Sequence, residues 1–143
     1  MSSNDPVQAW EARWSEARLV RRVRADALVG RRRLDLAELN VERARREEAI
    51  GDSDAALIFA EQALINTADA MLARDGYSVN SHVARFSYPR LPIVYAHERG
   101  FIDRIRSSRN TAQYDASGGV EPEFAARAIQ LAERAVREMR GSL

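Results

Sequence analysis

Arg106, Arg109, Asn110 and Gln113 recur at spacings of one, three and four residues, so that on a helix they form one contiguous polar flank, with Tyr114 arriving as the helix ends. Guanidinium forks and carboxamides are donors matched to anionic oxygens, and a phenol adds a hydroxyl and a π face. Such a set is suited to gripping phosphate oxygens or a base. Arg109 also falls inside the apolar stripe of Phe101, Ile102, Ile105 and Ala112. A guanidinium is costly to dehydrate unless it is paired, so its place there implies either a buried network or work on a ligand.

The same angular test finds a second charge out of place. On the helix opened by Asp54, Glu61 lies at the centre of the arc of Leu57, Leu64, Ala68 and Leu72, whereas Gln62, Asn66 and Asp69 gather on the opposite, solvated side. A carboxylate and a guanidinium, each inside an apolar stripe, predict a Glu61–Arg109 contact across the protein. That contact is either an ion pair fixing register or a device that aims Arg109 at a phosphate. His82, in Asn80-Ser81-His82, reads as a capping or loop residue that its loop can carry to the same cleft. His97 precedes Arg109 by twelve residues, about 18 Å along a helix axis, which is too far to act with it. There is no glycine-rich phosphate loop, nucleophile elbow or paired catalytic carboxylate motif, and neither histidine has an acid partner of triad type.

The elements that must carry these residues read as helical almost throughout. Asp5-Pro6 is a cap and first-turn pair, and Trp10, Trp14, Ala17, Val20 and Val23 recur at helical spacing toward Gly30. A second helix is predicted from about Leu34 to Ile50, with Gly30 as either a break before it or a weak spot in one longer helix. A third runs from Asp54 to about Arg74, closed by Asp75-Gly76. Residues 76–92 read as a loop with a short helical turn at Ser81–Ser87, because Pro89 and Pro92 prohibit a long helix. A fourth helix is predicted over Ile93–Gln113, and Pro122 starts a last one carrying Phe124, Ala128, Leu131, Ala135 and Met139. The expected fold class is all-α, an antiparallel up-and-down helical bundle of four to five helices. The reading divides the chain into a basic amphipathic N-terminal helix, residues 1–33, and a bundle, residues 34–143.

Composition narrows the function. No apolar run is long enough to cross a membrane and the polar start lacks a secretory pattern, so a cytoplasmic protein away from membranes is expected. The absence of cysteine removes disulfides, thiolate zinc sites and a cysteine nucleophile, and two histidines alone do not build a usual metal cage, so neither metal nor cofactor is expected. Net charge is only +1, but Arg13, Arg18, Arg21, Arg22, Arg24, Arg31, Arg32 and Arg33 face only Glu16 and Asp26 across their span. That run is either a solvated helix face or a contact for RNA or another acidic partner.

Taken in order, the small-residue helix Asp54-Ala-Ala-Leu-Ile-Phe-Ala-Glu-Gln-Ala, the following Ser81-His82, and Arg109-Asn-Thr-Ala-Gln-Tyr114 before a final helix resemble a HEPN domain over roughly Leu34 to Arg140. The resemblance implies an up-and-down bundle, usually a homodimer, often encoded beside a small nucleotidyltransferase in toxin–antitoxin or defence systems. Many members cut RNA without a metal; others are inactive binding modules. Active members carry Arg, often with Asn, Asp or His after it, and then a histidine four to six residues on. Arg109 and Asn110 match the start, no histidine follows, and the Arg-x-x-Ala-x-Tyr form is similar to a branch that keeps the arginine and tyrosine alone.

The resemblance therefore places any catalytic role on Arg109, Asn110 and Tyr114, with Arg106, Gln113, Glu61 and His82 as binding residues. In-line attack by a ribose 2′-hydroxyl needs a proton acceptor as well as charge stabilisation, and arginine supplies only the second. The preferred expectation is a dimeric module that binds RNA, a nucleotide, or a nucleotidyltransferase or antitoxin partner with little or no catalysis. A metal-independent endoribonuclease toxin with Arg109 as phosphate clamp, and a plain protein-interaction bundle, are the alternatives.

Overall fold

The structure is a computed structural model and describes residues 5–108 and 114–142. Its elements are α1 (Pro6–Glu16), β1 (Val20–Arg22), α2 (Ala27–Ala49), α3 (Ser53–Asp75), β2 (Tyr77–Val79), α4 (His82–Phe86), α5 (Val94–His97), α6 (Arg99–Arg106) and α7 (Pro122–Ser142). The protein is an all-α helical bundle in which the only sheet among the described residues is the antiparallel pair β1–β2, with Val20 opposite Val79. No helix of the described residues is long and apolar enough to cross a membrane.

The centre of the bundle is α3. Asp52 caps it by accepting from the Ala55 amide at 3.0 Å, and Gly76, at φ 90°, ends it in the left-handed conformation that a glycine adopts without a Cβ penalty. Gly51, at φ 84°, turns the chain between α2 and α3, which pack as an antiparallel hairpin. The final helix runs parallel to α3: the Val120 amide donates to Asp54 at 2.7 Å near one end, and Arg74 donates to the Ser142 carbonyl at 3.0 Å near the other. The short helices α4–α6 make the return between them, so the up-and-down plan holds with one of its rods broken into pieces.

Alanines at 56, 60, 63, 68 and 70 keep α3 slender, and each is buried against its neighbours. Gly30 completes the close approach, because a Cβ there would lie 2.9 Å from the Ala70 carbonyl oxygen. That residue is thus neither a break nor a weak spot but the point where the α2 backbone meets α3. Asn66, expected on a solvated side, is buried and donates to the Gln62 carbonyl at 2.9 Å.

The N-terminal segment departs from the expected long helix. Its first helix stops at Glu16, where Arg18 donates to the Ser15 carbonyl and Leu19 to the Trp14 carbonyl, both at 2.9 Å, the pair of bonds that closes a Schellman turn. Arg18 occupies the left-handed position at φ 59°. A new helix then starts at Asp26, whose carboxylate accepts from the Leu28 and Val29 amides, and runs unbroken past Gly30. The division expected at residues 33/34 consequently falls inside α2. Trp10 packs into the bundle, 5% exposed, with its indole N–H donated to the Ala84 carbonyl at 2.9 Å and its ring edge-on to Tyr77 and Tyr88.

The fourth helix is also corrected. In place of one rod over Ile93–Gln113, α5 ends at His97, α6 restarts at Arg99, and regular helix stops at Arg106. At the far end the Ser107 hydroxyl and amide both donate to the Asp103 carbonyl, at 2.9 and 3.0 Å, as α6 closes.

Candidate functional site

The side chains with unusual environments meet along α3, where α4 and the end of α6 cross it. Serine 81 starts α4 by accepting the Ala84 amide at 3.2 Å, which sets His82 in the first turn and Arg85 one turn later on the same face. Arg85 is the organiser. Its Nε donates to Asp69 of α3 at 2.7 Å, Nη2 to the Val79 carbonyl at 3.1 Å, and Nη1 contacts Nδ1 of His82 at 2.6 Å. The His82 ring stacks on Phe86, Phe86 stacks on Tyr95, and the buried Tyr95 hydroxyl donates to the Leu64 carbonyl at 2.6 Å. A rigid aromatic column therefore holds the imidazole.

The tautomer follows from the chemistry of the partner. A guanidinium has donors only, so Nδ1 of His82 accepts and the neutral ring carries its proton on Nε2. Burial, Arg85 and Arg106 lower the His82 pKa, against a smaller opposing effect of Asp69. At neutral pH the ring presents an N–H donor and no free base.

Glu61, two turns before Asp69 on α3 and about 12 Å from it along the axis, is partly buried. Desolvation raises its carboxyl pKa, and the positive charge of Arg106 opposes that rise. The two form no ion pair within 4.0 Å, so Arg106 acts on Glu61 through space. Its one ion pair among the described residues is with Asp103, at 3.6 Å. Its Nε is buried with no hydrogen-bond acceptor among the described residues, while the side chain as a whole stays 29% exposed. Such an N–H costs stability unless an acceptor is supplied.

Of the residues singled out from sequence, Glu61, His82 and Arg106 lie near one another along α3, with the charge of Arg106 reaching both of the others. Arg109, Asn110 and Gln113 lie outside the described residues, and the expected Glu61–Arg109 contact lies there with them. Tyr114 is partly buried and bridges to Val120, whose amide is held by Asp54. That places it by the start of α3, and no hydrogen bond or ring contact joins it to Glu61, Arg106 or His82 among the described residues. Sequence reasoning missed Arg85 and its partner Asp69. The three-residue spacing of His82 and Arg85 was a usable signal for the first; Asp69 had been assigned to the solvated side. Comparison with protein-family models, with curated proteins and with solved structures gave no match.

Proposed function

We propose that this chain is a HEPN-like module in which Arg106, His82 and Glu61 along α3 form a groove that binds RNA, with little or no chemistry done on it. The observation that carries the reading is the Arg106 guanidinium: one N–H is withdrawn from water without an acceptor, beside a neutral histidine that offers a second donor. The exposed part of the Arg106 fork and the His82 N–H are donors that a phosphate can use and an apolar ligand cannot. The histidine that would most readily serve as proton acceptor is committed, Nδ1 to Arg85 and Nε2 to its own proton, which favours binding over catalysis.

The second reading, a metal-independent endoribonuclease with Arg109 as phosphate clamp, is favoured by Glu61 alone. Its desolvated carboxyl has raised proton affinity next to a cation, the condition of a general base tuned toward neutral pH. The two readings separate in one experiment. Purified wild type, Glu61→Gln and Arg109→Ala are incubated with labelled single-stranded RNA, and both retention and integrity are followed. Retention of intact RNA by wild type and Glu61→Gln supports the binding module. Cleavage by wild type that disappears in Glu61→Gln, with folding retained, supports the nuclease, and neither binding nor cleavage refutes both. The resemblance adds a homodimer and a nucleotidyltransferase or antitoxin partner, tested by solution mass and by co-purification with the products of adjacent genes.

A further inference from the structure

A polar cavity, about 410 Å³, opens between the first turns of α2, the last turns of α3, β2 and α4. Three guanidinium groups line it: Arg24 before α2, Arg33 on α2, and Arg85. The acids beside them are already engaged. Asp26 accepts the Leu28 and Val29 amides at 3.0 and 3.1 Å, and Asp69 accepts from Arg85 at 2.7 Å. Arg24 and Arg33 are exposed and make no ion pair within 4.0 Å among the described residues. Ser78 adds a hydroxyl.

Arg85 connects this cavity to the groove. Of the five N–H groups on a guanidinium, Asp69, Val79 and His82 occupy three. Two N–H groups remain, on a side chain that lines the cavity and holds His82 in place. Arg85 thus touches His82 on one side and lines the cavity with Arg33 and Arg24 on the other, so donors for regularly spaced negative charges lie on both sides of it. The cavity has the size of a small-molecule pocket, enough for a phosphate and its neighbouring sugar or base of one strand.

We infer that the cavity is a second phosphate subsite continuous with the groove, and that the ligand is an extended single-stranded RNA whose backbone runs along the line Arg106, His82, Arg85, Arg33, Arg24. This rests on the RNA-binding reading above, and it adds a direction and a length requirement to it. A strand that fills only the groove gains nothing from Arg24 and Arg33, whereas a longer one contacts both.

The test compares wild type with Arg24→Gln/Arg33→Gln, two exposed positions where glutamine keeps a polar stem, using fluorescence anisotropy on oligouridylates of about 4 and about 12 nucleotides. For the longer strand the double variant binds about tenfold more weakly, and the slope of log K against log salt becomes shallower by about 1.4, the loss of two single-strand phosphate contacts. For the shorter strand the two proteins bind alike. Equal affinity and equal slope on the longer strand overturn the subsite while leaving the groove reading intact. Failure of wild type to bind either strand overturns both, and displacement of the longer strand by polyglutamate as readily as by unlabelled RNA reassigns the cavity to an acidic protein partner.

Discussion

Replacement of Arg106 by methionine tests the groove through two opposed effects. The substitution keeps an unbranched apolar stem and deletes a buried N–H that has no acceptor, a defect worth about 1–3 kcal/mol. Below the ordinary carboxyl range, where Glu61 is protonated, that gain stands alone, and a chain of this length melts roughly 3–4 °C higher per kcal/mol. At neutral pH Glu61 is a different matter. Its folded pKa is raised, so the folded state holds the proton more tightly than the unfolded one, and stability falls as pH climbs from the unfolded value through the folded value. Without Arg106 nothing opposes the desolvation, the folded pKa moves higher still, and the fall steepens. Arg106→Met is therefore expected to be stabilised at acid pH and to lose part or all of that advantage by pH 7, while Arg106→Met/Glu61→Gln keeps it at both.

RNA affinity moves the other way. Loss of one charge-assisted bond to phosphate, about 1.5–3 kcal/mol, weakens Kd by roughly 10- to 150-fold. Thermal melts at two pH values and a filter-binding titration read the whole scheme. An Arg106→Met protein that is destabilised at acid pH and binds RNA like wild type would refute the reasoning at both points.

Three further outcomes follow from the packing and the electrostatics. Gly30→Ala drives a Cβ to 2.9 Å from the Ala70 carbonyl, which cannot swing aside as a side-chain tip can, and is expected to destabilise by about 1–3 kcal/mol in a denaturant titration; an unchanged midpoint contradicts the close approach of α2 and α3. Arg18→Gly relieves a left-handed residue in the turn after α1 and is expected to stabilise by about 1 kcal/mol, with a loss of stability counting against that conformation. His82 is expected to titrate below its ordinary value of 6.5, and its contribution to stability is lost as pH falls from there toward the folded midpoint, because the unfolded state takes up the proton first. Nitrogen-15 shifts at neutral pH should show the Nε2–H form; an Nδ1–H ring is incompatible with the Arg85 contact.

What could be read from the chain alone was whatever depends on neighbours close in sequence. Asp75-Gly76 after α3, the short helical turn within Ser81–Ser87 and Pro122 at the start of α7 all act within a few residues, and each element lies about where those signals put it, although the caps themselves are Asp52 and Ser81. Periodicity also picked out Glu61 as a charge on a buried stripe. What tertiary structure alone decided was which side of α3 is covered and who meets whom. Asn66 and Asp69 look solvated on a helical wheel, but the bundle buries the first and Arg85 of α4 reaches the second. A single helix period reports one buried face, whereas a helix at the centre of a bundle has several, and the partners on those faces come from segments far away in the chain.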